Sequence, residues 1–221
     1  MSAPRGTTNR GVLVIAVVVV VALIGGVVWW KLQPEGVQPG VVFVGDSVTY
    51  LSISQINEAL GPKAQPAYLT RVGWRSSDLL PLFAQEVIKR RAGHQALRQV
   101  ALLMGYNDVL QGNVESAALD KVVALASQFS CAVWLTLPPT PSGRAAGNPK
   151  FRADLARRWN ERLGVAVRSH HNIHLVTEWQ RTVDASPPGH LLVADGVHPN
   201  AAGQRVLAGI YAHALRTDCR R

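Results

Sequence analysis

Residues 11–30 hold no charged side chain and are mostly Val, Ile, Leu and Ala. Twenty helical residues rise about 30 Å, the thickness of a bilayer's hydrocarbon core. Arg5 and Arg10 precede the run, and Trp29, Trp30 and Lys31 follow it. That order predicts a transmembrane anchor with residues 1–10 in the cytoplasm and the tryptophans at the far interface. A cleaved signal peptide is the rival reading. The length of the run and the bulky Val28-Trp29-Trp30 in place of a small-residue cleavage site speak against it. In either reading the rest of the chain lies outside the cytoplasm.

Residues 31–40 carry two prolines and two glycines without hydrophobic periodicity, so they read as a linker. From 41 to 221 the pattern changes to that of one domain. Apolar runs at 41–44, 67–72, 100–104, 132–137 and 173–176 are expected strands. Runs that are apolar at every position suit parallel strands covered on both faces. Between them, amphipathic stretches at 55–60, 78–91, 114–129, 148–167 and 200–215 are expected helices. In the fourth, Phe151, Leu155, Trp159 and Leu163 recur every four residues while arginines face elsewhere. The alternation predicts a three-layer α/β/α domain on a five-stranded parallel, flavodoxin-like sheet, preceded by one transmembrane helix. Ligand sites of such sheets lie at the carboxyl ends of the strands.

The net charge of +9 changes this picture little. Basic residues are scattered along the helices with no aromatic-flanked stripe, so no nucleic-acid partner is expected. The histidines outside the last loop lack metal-ligand spacing, and no metal or other cofactor is expected. The two cysteines add more. Cys131 opens the fourth strand, and Cys219 follows a last helix that runs back to that same edge, so a disulfide between them is sterically open and suits an extracytoplasmic site.

Polar clusters fall where the fold places ligand sites. Gly45-Asp46-Ser47 follows the first strand, Gly73 the second, and Gly105-Tyr106-Asn107-Asp108 the third. Asp195-Gly196-Val197-His198-Pro199 precedes the last helix, with Pro199 expected as its first residue. Each cluster alone is an ordinary turn. In this order, at consecutive strand ends and before the last helix, they are hard to explain as turns alone. Asp46 and Asp108 read as structural acceptors. Trp74, Arg75 and Tyr106 read equally well as pocket or core.

These four blocks resemble those of the SGNH (GDSL-like) hydrolases, over roughly residues 40 to 217. Ser47 matches the nucleophile, Gly73 the lone glycine, Asn107 the asparagine, and Asp195 with His198 the last block. Val48 stands where the family's nickname has leucine. The resemblance implies a serine esterase whose triad is Ser47, His198 and Asp195. Its oxyanion would be held by the Ser47 and Gly73 N–H groups and the Asn107 amide. An acyl-ester substrate and a membrane-tethered location follow as expectations. O-acyl transfer to an envelope glycan or lipid is the alternative, and a silent binding module is disfavoured because every block keeps its chemical residue type.

Overall fold

The computed structural model describes residues 39–139 and 152–219. The apolar run 11–30, most of the linker, and the start of the helix expected at 148–167, Phe151 included, lie outside them.

Five strands form one parallel sheet: β1 (Val42–Gly45), β2 (Ala67–Thr70), β3 (Gln99–Leu103), β4 (Cys131–Leu135) and β5 (Ile173–Val176). Their order is β2-β1-β3-β4-β5, the flavodoxin-like arrangement. Eight helices are described: α1 (Ser47–Leu51), α2 (Ile53–Leu60), α3 (Ser76–Ala92), α4 (Tyr106–Leu110), α5 (Ala118–Ala126), α6 (Ala153–Val167), α7 (Glu178–Ala185) and α8 (Ala201–Thr217). α2, α7 and α8 pack together over one face of the sheet, and α3, α5 and α6 over the other.

β1, β3 and β4 are buried at every position, which explains their continuous apolar sequence. Phe43 of β1 stacks on Tyr68 and meets Tyr211 of α8 edge-on, with centroids 5.3 and 5.2 Å apart. Phe43 and Tyr211 are fully buried, and each contributes about 2–3 kcal/mol of transfer free energy. Cys131 and Cys219 are joined in a disulfide with Cα atoms 5.5 Å apart, pinning the end of α8 to the start of β4.

Several boundaries differ from expectation. The first helical stretch begins at Ser47 rather than 55 and breaks at Ser52, whose N–H and hydroxyl both turn back onto α1 carbonyls. Two short helices, α4 and α7, went unexpected. Residues 114–117 and 127–129 lie outside α5, which is shorter than the stretch 114–129. Pro199 is not the first helical residue. It pairs with Leu192 in an isolated bridge, and Asn200 caps α8 by accepting from the N–H groups of Ala202 and Gly203. No helix among the described residues is long and apolar enough to cross a membrane.

Candidate active site

The sheet order reverses at β1, so the loops after β1, β2 and β3 converge on one edge. Gly45 pairs in register with Thr70 on one side and Leu103 on the other. The Gly45-Asp46-Ser47 turn therefore emerges from the centre of the core. Asp46 is fully buried and caps α1, its Oδ1 accepting from Val48 N–H at 3.0 Å. Burial pushes its carboxyl up to about 7. The Val48 N–H opposes that shift and the nearby Asp108 adds to it. Ser47 opens the helix, so its own N–H stands outside the i→i−4 ladder.

The last loop is folded by its own short-range bonds. Val193 N–H donates to His198 O at 2.9 Å and Gly196 N–H to Val193 O at 3.0 Å. Inside that turn, Asp195 Oδ1 accepts from the N–H groups of Val197 and His198 at 2.9 and 3.0 Å. Its Oδ2 meets His198 Nδ1 at 2.5 Å, and His198 Nε2 lies 2.8 Å from Ser47 Oγ. A carboxylate can only accept, so it holds the proton of the neutral imidazole on Nδ1 and leaves Nε2 to accept from the serine hydroxyl. Partial burial would raise the Asp195 carboxyl, but the His198 ring and the two backbone N–H groups outweigh it and hold the group below its ordinary value.

The second and third loops are cross-bonded. Gly73 is exposed with φ of 78°, a backbone state that favours glycine. Asn107 Nδ2 donates to Trp74 O at 3.0 Å, which fixes the amide beside the Gly73 loop and leaves a second N–H on the same nitrogen. Asp108 accepts from Ser76 N–H and Oγ at 2.9 and 2.7 Å, tying the start of α3 to the loop after β3. Asp46 and Asp108 thus serve as acceptors. Tyr106 belongs to the core, its buried hydroxyl accepting from Trp179 Nε1 at 3.0 Å.

Sequence reasoning passed over Ser76, Trp159 and the glycine of the third block. Gly105 sits at φ of 115°, and a Cβ there would run into the indole of Trp159. Trp159 was legible as a buried stripe residue of α6, but nothing local linked it to that turn. Among the described residues no three metal-ligating side chains cluster.

The geometry on this edge is a serine hydroxyl, an imidazole and a carboxylate in one hydrogen-bonded series, beside the Asn107 amide and the Gly73 turn. Such a set can deprotonate an alcohol nucleophile and hold the resulting imidazolium. Residues 43–206 match the GDSL-like lipase/acylhydrolase family. No curated protein matches the sequence. Among solved structures the fold is similar to a lipase/acylhydrolase from Enterococcus faecalis, at 16% identity and a TM-score of 0.64, covering 82% of this chain and 97% of that one. An acetyl xylan esterase from Geobacillus stearothermophilus aligns at 15% identity and 0.60, over 83% and 97%. The C-terminal catalytic domain of a Streptococcus pneumoniae peptidoglycan O-acetyltransferase aligns at 16% and 0.58, over 82% and 93%.

Proposed function

The chain belongs to the GDSL-like lipase/acylhydrolase family, and from that premise we propose that Ser47, His198 and Asp195 are the triad of a membrane-anchored, extracytoplasmic serine esterase. That the chain is an ester-hydrolysing enzyme follows from the family. The triad assignment is carried by the series Ser47 Oγ, His198 Nε2, His198 Nδ1, Asp195 Oδ2, with separations of 2.8 and 2.5 Å.

Ser47 Oγ attacks the ester carbonyl while its proton passes to His198 Nε2. Asp195 stays ionised and stabilises the imidazolium, a role its depressed pKa suits. The Ser47 and Gly73 N–H groups and the second Asn107 N–H hold the oxyanion, each such donor contributing about 2.7–4 kcal/mol. The intermediate collapses, and His198 returns the proton to the departing alkoxide. A water then repeats the sequence on the acyl-enzyme, releasing the acid and restoring the Ser47 hydroxyl.

The anchor reading is supported by the uncharged run 11–30 and, for the compartment, by the Cys131–Cys219 disulfide. Acyl transfer to a glycan hydroxyl is the competing outcome, since the same residues serve it and one protein of similar fold is an O-acetyltransferase. Turnover of p-nitrophenyl esters by the full chain, with and without glycan acceptors, tests both. The expected result is acceptor-independent hydrolysis that Ser47→Ala abolishes. Turnover that requires the acceptor would replace hydrolysis by transfer, and an active Ser47→Ala would overturn the triad.

A further inference from the structure

Six large hydrophobic side chains are exposed among the described residues, and their distribution is uneven. Single exposed apolar residues are normal on any surface, whereas a cluster is informative. Tyr50 (49% exposed) and Leu51 (43%) lie three and four residues after Ser47 on α1, hence on the face that carries the serine, with Cβ atoms about 5–6 Å away. Val72 (61%) follows β2, where Arg71 N–H donates to Gly45 O at 3.2 Å, and it immediately precedes Gly73. Val193 (43%) is bonded through its N–H to His198 O. The other two, Ile88 and Val165, each sit twelve residues into helices that start at the catalytic edge, about 18 Å along the axis.

We propose that Tyr50, Leu51 and Val72 form an open apolar rim beside Ser47 that binds the acyl chain of the substrate and selects medium- or long-chain acyl esters over acetyl esters. The inference rests on the triad reading and goes beyond it to the substrate class. The acyl group is the right occupant because it becomes bonded to Ser47 Oγ. Its chain must then leave past the residues that share Ser47's helix face and adjoin the Gly73 turn. The alcohol departs on the His198 side, where Val193 is the one large apolar side chain exposed among the described residues. A methylene moved from water onto apolar surface is worth a factor of roughly four at full burial, and an open rim yields part of that for each carbon.

The test is kcat/KM of the full chain toward p-nitrophenyl acetate, butyrate and octanoate below their aggregation limits. The wild type is expected to favour octanoate over acetate by about tenfold or more. The double substitution Leu51→Ser with Val72→Ser lowers that octanoate-to-acetate ratio about tenfold, mostly through KM, while Ile88→Ser with Val165→Ser leaves the ratio where it was. All variants sit at exposed positions, and circular dichroism together with the rate of fluorophosphonate labelling reports fold and triad independently of chain length. A wild type that prefers acetate, or a ratio that the rim variant does not move, would overturn the proposal while leaving the triad standing. Absence of both labelling and turnover in the wild type would overturn the triad reading and this inference with it.

Discussion

Asp46 and Asp195 each accept backbone N–H groups in a turn that carries a residue of the site, yet their surroundings differ. Asp46 is fully buried behind the end of a central strand, while the Asp195 side chain is 34% exposed in a loop. Burial pushes the first carboxyl up to about 7, whereas short bonds to His198 and its turn keep the second low. One turn is therefore positioned by the whole sheet and keeps its acid protonated up to about pH 7. The other is positioned by bonds among Val193, Asp195, Gly196, Val197 and His198 and keeps its acid charged. The difference separates two jobs that a count of acidic residues would merge: holding the nucleophile and stabilising the imidazolium.

Asn substitutions at the two positions give the largest expected contrast. Asp195→Asn lowers kcat by about 10⁴-fold, because the imidazole loses its orienting acceptor. Asp46→Asn keeps an oxygen for the Val48 N–H and lowers kcat by less than about tenfold. Equal losses of kcat in the two variants would break the contrast.

The His198 arm leads into α8, whose end is held by the disulfide. Replacing Cys131 and Cys219 by serine lowers unfolding free energy by about 2–5 kcal/mol in denaturant titrations. The kcat of the folded enzyme stays within about twofold, since the turn is fixed by its own bonds and by the Asn200 cap. A collapse of kcat without unfolding would show that the turn depends on the distant pin.

The smallest effect is in pH dependence. With Asp46 near 7 in the fold against 3.8 for an ordinary aspartate, the native state keeps a proton that the unfolded chain has released. Stability from this group is full below about pH 4 and is lost as pH rises through 7. Asp195 has the opposite sign: its contribution is present above its unfolded value and is lost as pH falls through its depressed folded value. Asp46→Asn should therefore match the wild type in thermal unfolding at pH 5 more closely than at pH 8, where the variant is the more stable. A difference that does not grow with pH would remove the argument from burial.

Much of this was legible in the sequence, unevenly and for physical reasons. β5 appears at the residues its apolar run indicated, and the other strands differ by one or two residues at an end; at β4 this is because burial continues past the ladder. Thr136 N–H still reaches Val176 O, while Leu137 stays buried but leaves strand pairing, its N–H donating to Asn160 Oδ1. α7 escaped notice because only Trp179 and Val183 of its eight residues are buried, too few for a period to show. The Ser47, Asp195 and His198 juxtaposition was readable because one short motif follows the first strand, the other precedes the last helix, and both resemble known family blocks. The bond from Asn107 to Trp74 O and the approach of Trp159 to Gly105 join residues 33 and 54 apart in the chain, and no local pattern encodes them.

The most direct measurement is peptide mapping of the protein after reaction with a fluorophosphonate. A single adduct on Ser47 is predicted, absent in Ser47→Ala and formed far more slowly in Asp195→Asn. An adduct on another residue, or labelling that persists in Ser47→Ala, would contradict the triad.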